Sequence, residues 1–234
     1  GSYALRLAER RRILLDNLYG VDIDAQAVEV TKLSLLLKVL EGAAEQLGSQ
    51  AALLGERVLP DLDRNVKCGN SLIGPDFYNR PQPALLADDE LLRVNAFDWA
   101  AEFRDIMSNG GFDAVIGNPP YGADYTEQEK HYFKGKFVYK KGKPETYIYF
   151  LEQGLQLLKR GGMLGFITPN AWLTNYYGVQ VRKLILENTL LRTLVDLEPT
   201  KVFRGAVVDT AITILQNSTA SDDNHKVGVS RGTP

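Results

Sequence analysis

Near the middle of the chain, residues 116–121 have the sequence Ile-Gly-Asn-Pro-Pro-Tyr, a combination of types suited to holding an amino group. Two consecutive prolines fix the backbone and remove two amide donors, so the carbonyls and the Asn118 side-chain oxygen present acceptors without competing donors nearby. The ring of Tyr121 can stack on the flat ring that carries the amino group. We therefore predict a catalytic turn made of Asn118, Pro119, Pro120 and Tyr121, with an ordinary loop turn as the alternative.

A second candidate surface is residues 130–143, which include six lysines and no acidic residue in a chain whose formal net charge is −2. The cations alternate with aromatic residues, a pattern typical of phosphate contact beside a base pocket. A solvated lysine face is the alternative. Because this segment follows Tyr121 closely, we predict contacts with the DNA backbone from Lys134, Lys136, Lys140 and Lys141.

The elements that must position these residues alternate short apolar or β-branched runs with longer helical ones, which predicts βαβ units and a mostly parallel sheet. Residues 112–116 are predicted to form a compact buried strand that leads into Asn118, at the strand end where open α/β sheets place their ligands. A helix is predicted over 147–158, and an all-apolar strand follows over 163–167.

The first part of the chain has the same alternation. A helix is predicted over 5–15, and a short strand over 18–21 ends at Asp22. Asp24 is predicted to cap a helix over 25–40 that is apolar nearly all round, as expected for a helix packed deeply against a sheet. The other predicted elements are strands over 65–68, 191–197 and 207–216, helices over 97–107 and 170–188, and loose connections over 42–64 and 74–89.

Composition narrows the class of protein. The 234 residues are 44% apolar and 24% charged, as in an ordinary soluble chain with a substantial core. The single cysteine, Cys68, forbids an intrachain disulfide, and with two histidines it leaves too few soft ligands for a structural zinc site, so we predict no metal centre. Neither a membrane span nor a charged-then-apolar leader is apparent, so we expect a cytoplasmic protein.

Residues 116–121, the strand Phe-Asp-Ala-Val-Ile and the acid-ended strand earlier in the chain resemble the N6-adenine-specific DNA methyltransferases that use S-adenosylmethionine. The combination of Leu-Tyr-Gly-Val-Asp-Ile-Asp at residues 18–24 with Asn-Pro-Pro-Tyr is similar to type IIG restriction-modification and BREX-type phage-defence enzymes. The resemblance covers residues 18–216. It implies an α/β fold with a Rossmann-like class I methyltransferase sheet, mostly parallel and with an antiparallel strand near one edge.

The resemblance also implies cofactor-binding residues. In the family's second motif, matched by residues 19–24, the acid that ends the strand holds the ribose hydroxyls, which points to Asp22 with Ile23 beside it. We expect Asp22 to be free for this role because Asp24 already fills the capping position. Residues 67–72 look like the third motif, in which Asn70, followed by Ser71, would meet the cofactor adenine where many relatives have Asp. A Gly-Asn turn is the alternative at Asn70.

Two further segments resemble motifs of the same methyltransferase family. Residues 160–169 resemble the fifth-strand segment that shapes the pocket floor. Residues 201–205 and 208–211 resemble the eighth motif, whose aromatic packs on the opposite face of the flipped base; this implies a base-stacking role for Phe203, with an ordinary core aromatic as the alternative.

One family motif has no match. The glycine-rich turn that accepts the methionine moiety should precede Leu18, and no such turn occurs there. In the family strand order 3-2-1-4-5-7-6, the central first strand therefore appears to be missing. We expect residues 1–217 to be a partial catalytic domain, inactive alone, and 218–234 to be a polar tail or linker toward an absent target-recognition domain. The expected partners are double-stranded DNA and the rest of a longer polypeptide.

The resemblance implies a DNA adenine N6 methyltransferase of a restriction-modification or phage-defence system, acting on a flipped-out adenine. Two alternatives stay open. Protein glutamine N5 methyltransferases also use Asn-Pro-Pro-Tyr, to hold a planar amide, and a non-catalytic DNA-binding scaffold would keep the lysine-rich segment. Binding of S-adenosylmethionine separates the enzymes from the scaffold.

Overall fold

The computed structural model describes residues 5–41, 60–79, 93–138, 145–198, 208–218 and 226–231. The chain divides between Phe97 and Asp98 into two compact units, here called the first and the second unit. No helix within the described ranges is long and apolar enough to cross a membrane.

The first unit contains two helices and a small parallel sheet. Its elements are α1 (Leu7–Asn17), β1 (Gly20–Asp22), α2 (Ala25–Leu40) and β2 (Val66–Cys68). Strands β1 and β2 pair in parallel, with Asp22 opposite Cys68. Helix α2 has the predicted bounds because the Asp24 side chain caps it by accepting a hydrogen bond from the Gln26 amide at 2.8 Å.

The packing of α2 differs from the prediction. Of its residues only Val28 and Val39 are buried, whereas Val30, Leu33 and Leu37 are 63, 57 and 58% exposed. The reason is that α2 contacts α1, β1 and β2 through one face, and no described segment covers the other. Apolar residues on all sides of α2 therefore do not indicate that the helix is deeply buried.

The segment after β2 is more ordered than predicted. A short 3₁₀ helix at Pro75–Phe77 buries Phe77, and an isolated parallel bridge joins Asn70 to Ala96. Of the two predicted loose connections, residues 42–59 and 80–89 lie outside the described residues.

The second unit is a mixed α/β domain. Its elements are the short helices α3 (Trp99–Glu102) and α4 (Arg104–Ser108), β3 (Phe112–Gly117), α5 (Glu127–Lys136), α6 (Thr146–Leu157), β4 (Leu158–Pro169), 3₁₀ helices at Asn170–Leu173 and Tyr176–Gly178, α7 (Val179–Asn188), β5 (Thr189–Asp196), β6 (Thr210–Asn217) and β7 (Gly228–Arg231).

Two predicted helices are interrupted. The helix predicted over 97–107 is two short ones. The helix predicted over 170–188 begins as 3₁₀ turns, because the Arg182 guanidinium donates hydrogen bonds to the backbone carbonyls of Trp172 and Asn175 and holds that segment in a separate turn. Neither interruption is marked in the hydrophobic pattern.

The sheet of the second unit has the order β3-β4-β6-β5-β7. Strands β3 and β4 are parallel, as are β5 and β7, whereas β6 runs antiparallel to both neighbours. This confirms the predicted α/β fold with a mixed, mostly parallel sheet, although the antiparallel strand, β6, is the middle one of the five described strands and not near an edge. Strand β6 was predicted to be the last strand, which is wrong, since β7 follows it within the predicted tail.

Helices α6 and α7 bury one face of this sheet. Their residues Tyr147, Leu151 and Val181 form one apolar core with Leu164 of β4 and Leu215 of β6. Between α4 and β3, Gly111 has a φ of 110°, and a Cβ there would collide with the carbonyl oxygen of Leu157 at the end of α6. Only glycine permits this approach, so Gly111 sets where β3 begins.

Strand β3 is not buried as predicted. Val115 packs against the core under α6, but Ile116, on the opposite face, is 86% exposed. In the described part of the chain β3 pairs only with β4, and β1 only with β2. Each of these two strands therefore has one edge that no described strand pairs with.

Candidate functional site

The first group of predicted site residues lies at the carboxyl ends of β1 and β2, in the first unit. The Gly69 amide donates to the Asp22 carbonyl at 2.8 Å, and the Cys68 thiol contacts the carbonyl oxygen of Ile23 at 3.5 Å. These bonds hold the two strand ends together. They bring Asp22 and Ile23 to the same end of the sheet as the turn that carries Asn70 and Ser71.

Asp22 is exposed, but its carboxylate is not entirely free as expected. Asp24 does cap α2, yet one oxygen of Asp22 (Oδ1) accepts a hydrogen bond from the Asp24 amide at 2.8 Å. The second carboxylate oxygen of Asp22 accepts no hydrogen bond from any described residue. One carboxylate oxygen therefore stays available to accept from a hydroxyl of a ligand.

Asn70 takes part in the turn that was the alternative to ligand binding. Its side-chain oxygen accepts from the Leu72 amide at 3.0 Å, and its own amide donates to the Asn95 carbonyl at 2.7 Å. A carbonyl oxygen has two lone pairs, so Asn70 can still accept a second hydrogen bond. The turn geometry and a ligand role are compatible.

Sequence reasoning missed two neighbours of this turn, Asn95 and Phe97. A Cβ at Gly69 would lie 2.5 Å from the Phe97 ring, so glycine is required where the ring packs on the backbone. Asn95 has a φ of 44°, the left-handed region that asparagine tolerates better than most residues. The only sequence signal for this conformation was that the residue is an asparagine, and nothing in the local pattern distinguished it from an ordinary loop asparagine.

The second group of predicted residues follows β3 in the second unit. Asn118 is exposed, Pro119 is buried, Pro120 is exposed and Tyr121 is half-buried. Within the described part of the chain, the Asn118 side chain makes no hydrogen bond. The fold therefore leaves its amide available at the carboxyl end of the strand.

Tyr121 directs its hydroxyl into the protein. The hydroxyl oxygen is buried and has no hydrogen-bond partner among the described residues. Burial raises the pKa of Tyr121, so the phenol stays neutral at physiological pH. With its polar tip inward, this side chain has only its ring to offer to a ligand.

Helix α6 holds the segment after the turn at two points. The Ala123 amide donates to the Thr146 hydroxyl at 3.1 Å, and the Val138 amide donates to the buried carboxylate of Glu152 at 2.8 Å. Between these points Thr126 and Glu129 form a reciprocal capping box that begins α5. The lysine-bearing segment is thus tied to the core.

In the described part of the lysine-rich segment, the aromatic residues pack into the core. Tyr132, Phe133 and Phe137 are fully buried, and Phe133 stacks on Tyr149 with ring centroids 4.8 Å apart. Residues 130–136 of this segment belong to the amphipathic helix α5, with Tyr132 and Phe133 inward and Lys130 and Lys134 outward.

Of the predicted phosphate-contacting lysines, Lys134 is exposed on α5, and the ammonium of Lys136 lies 5.7 Å from the ring centroid of Tyr132. Lys140, Lys141 and the predicted base-stacking Phe203 lie outside the described residues.

A model of the family described as Eco57I restriction-modification methylase matches residues 16–203 of this chain. The chain is 31% identical over 220 residues to the Escherichia coli type II restriction enzyme and methyltransferase RM.Eco57I, covering 92% of this chain and 20% of that protein. It is 26% identical over 187 residues to the adenine-specific methyltransferase PglX of Streptomyces coelicolor, covering 74% of this chain and 15% of PglX.

Among solved structures, a nuclease-deletion mutant of the Type ISP restriction-modification enzyme LlaGI, in complex with a DNA substrate mimic, matches with a TM-score of 0.62 at 15% identity. The match covers 97% of this chain and 19% of LlaGI, and at this identity it shows the fold alone. The chain spans about a fifth of the length of RM.Eco57I and of LlaGI.

Proposed function

Because the chain belongs to the Eco57I restriction-modification methylase family, we propose that it is part of a DNA methyltransferase that transfers a methyl group from S-adenosylmethionine to N6 of adenine. The observation that carries this proposal is the exposed Asn118 amide, without a hydrogen bond in the described chain, at the carboxyl end of β3 and followed by two prolines. Such a side chain is available to a substrate.

In the proposed reaction the chain prepares the amino group for attack. The lone pair of an adenine amino group is delocalised into the ring. Acceptors at the Asn118 side chain and the Pro119 carbonyl draw the two amino hydrogens out of the ring plane and leave the lone pair free. No covalent protein intermediate forms, and no general base is needed before methyl transfer.

The residues at the ends of β1 and β2 fit the nucleoside part of the cofactor. Asp22, with Ile23 next to it, has a carboxylate oxygen for the ribose, and Asn70, followed by Ser71, can accept from the adenine amino group. When bound, S-adenosylmethionine supplies the methyl group at its sulfonium. We assign its methionine part to a segment outside residues 18–216.

The proposed substrate is a base flipped out of double-stranded DNA. Tyr121 and Phe203 would stack on its two faces, and Lys134, Lys136, Lys140 and Lys141 would contact phosphates. What supports the stacking role of Tyr121 is its inward hydroxyl, which leaves the ring as the ligand-facing part.

We further propose that the chain acts within a longer polypeptide. It spans only about a fifth of the length of RM.Eco57I. We assign recognition of the DNA sequence, as well as the methionine subsite, to the remainder of that polypeptide.

The test is a methyl-transfer assay with the full-length polypeptide, S-adenosylmethionine labelled in its methyl group, and two substrates. These are double-stranded DNA of mixed sequence and a glutamine-containing protein. We expect label in DNA, recovered as N6-methyladenine by mass spectrometry of the nucleosides. Label in glutamine alone would make the chain a protein methyltransferase, and DNA binding without cofactor binding would make it a scaffold.

A further inference from the structure

The turn between β2 and Leu72 is held by a residue from a distant part of the sequence, Asn95. Its φ of 44° lies in the left-handed region, and it is the one non-glycine residue with a positive φ in the described part of the chain. Left-handed backbone costs free energy at any residue with a Cβ, although asparagine is penalised less than most. A conformation of this kind persists only where its surroundings require it.

The surroundings of Asn95 are the candidate cofactor residues. Its carbonyl accepts the Asn70 amide at 2.7 Å, which is one of the shorter backbone hydrogen bonds in this unit. Its side-chain amide donates to the Cys68 sulfur at 3.3 Å, a weak acceptor. One residue therefore bonds to both sides of Gly69.

The residues after Asn95 continue this contact. Ala96 forms the isolated parallel bridge with Asn70, and the Phe97 amide donates to the Ile73 carbonyl at 2.8 Å. The Phe97 ring packs on Gly69 so closely that a Cβ there has no room. Residues 95–97 thus support the whole turn from one side.

We propose that Asn95 is a positioning residue for the nucleoside of S-adenosylmethionine: its left-handed backbone aims its carbonyl at the Asn70 amide and so fixes the Asn70 side chain. This inference rests on the proposed function. The backbone conformation of Asn95 positions Asn70, whereas the side-chain hydrogen bond from Asn95 to Cys68 contributes little to that positioning. Asn95 itself contacts neither the methyl group nor the base.

The experiment compares Asn95→Ala, Asn95→Gly and Cys68→Ala in the full-length polypeptide by calorimetric titration with S-adenosylmethionine. Alanine disfavours a positive φ, so we expect Asn95→Ala to bind the cofactor about five- to tenfold more weakly. Glycine adopts a positive φ freely, and Cys68→Ala removes only the weak sulfur acceptor, so both should bind within about twofold of wild type.

Two further measurements separate positioning from general stability. Hydrogen exchange at the Asn70 amide should be faster in Asn95→Ala and unchanged in Asn95→Gly. Turnover at saturating cofactor should be the same in Asn95→Ala and wild type, because only cofactor binding is affected.

Equal cofactor affinity of Asn95→Ala and wild type would overturn the inference. The inference would also be overturned if Asn95→Gly bound the cofactor as weakly as Asn95→Ala, because the side chain of Asn95, and not its backbone conformation, would then position Asn70. A wild-type polypeptide that binds no S-adenosylmethionine would instead overturn the proposed function, and the inference with it.

Discussion

At the scale of single residues, Asn118 is the clearest case of a side chain that the described fold does not use. It is exposed and makes no hydrogen bond among the described residues. We expect Asn118→Ala to lower transition-state stabilisation by about 2 to 4 kcal/mol, the loss typical of removing one preorganised polar partner. Single-turnover methyl transfer by the full-length polypeptide measures this loss.

The matched control is Asn109→Ala. Asn109 is also exposed, but its amide donates to the Asp105 carbonyl within its own helical turn at 2.8 Å. This variant should keep wild-type turnover, and the melting temperature of Asn118→Ala should be unchanged. Unchanged turnover in Asn118→Ala would remove the residue from the catalytic turn.

Tyr121 distinguishes stacking from hydrogen bonding. Its hydroxyl is buried without a partner in the described chain, so Tyr121→Phe loses no hydrogen bond and should be nearly silent. Tyr121→Ala should lose about 1 to 3 kcal/mol of base stacking. Fluorescence of 2-aminopurine at the target position reports the flipped base directly. Equal damage in both variants would show that the ring is not the operative part.

The local roles of Asp22 and Asn70 show what residue types can and cannot predict. Their positions at strand ends follow from the pattern of apolar runs, and this prediction is confirmed. Both side chains also bond backbone amides two residues later, as the turn alternative at Asn70 allowed; the residue types permit such bonds, but the dihedral angles of the turn decide whether they form. The role of Asn95 was not predicted because its hydrogen-bond partners lie about 25 residues away in the sequence.

At the scale of elements, the capping box of α5 is the feature most directly open to test. Thr126 accepts from the Glu129 amide at 3.2 Å, and the Glu129 carboxylate accepts from the Thr126 amide at 2.7 Å. Thr126→Ala should lower the free energy of unfolding by about 1 kcal/mol, as measured in urea, because one cap is lost. Thr126→Ser keeps the hydroxyl and should retain most of that stability; equal loss in both variants would contradict the capping role.

Helix α5 also carries the proposed DNA contact at Lys134. Lys134→Ala in the full-length polypeptide should weaken DNA binding and reduce the slope of log K against log salt by about 1, as expected for one lost phosphate contact. Fluorescence anisotropy over a series of salt concentrations measures the slope.

Lys183→Ala is the control for that series. Lys183 lies on α7, where it pairs with Glu187 at 3.6 Å, and it has no proposed DNA contact. Its removal should leave the slope unchanged. Similar slopes for Lys134→Ala and wild type would place the DNA backbone elsewhere.

Helix and strand bounds could be predicted where local signals are strong. Asp24 fixed the start of α2, and the β-branched run fixed β6 to within a few residues. Predictions were wrong where distant contacts decide: Arg182 breaks the helix predicted over 170–188, and β3 exposes Ile116 although its sequence is apolar. Apolar character alone does not say whether a neighbour is present to cover it.

At the scale of the whole molecule, β1 and β3 each have one edge that no strand in the described part of the chain pairs with. We expect the isolated 234 residues to bind S-adenosylmethionine weakly or not at all and to methylate no DNA, because no glycine-rich turn precedes Leu18. Calorimetry of the isolated chain measures this. Micromolar binding by a monomer would mean that residues before Leu18 supply the methionine subsite.

The exposed Ile116 beside the open edge of β3 also bears on how the protein behaves in a test tube. Among the described strands one edge of β3 has no partner, and such an edge next to an exposed apolar side chain is a template for aggregation; Phe112–Gly117 contains a single charge, Asp113, to oppose it. The chain purified by itself is therefore prone to lose monomer as its concentration rises. A lysine placed at position 116 would improve its solubility, and the same charge would make that edge a poor template for any strand meant to complete the sheet.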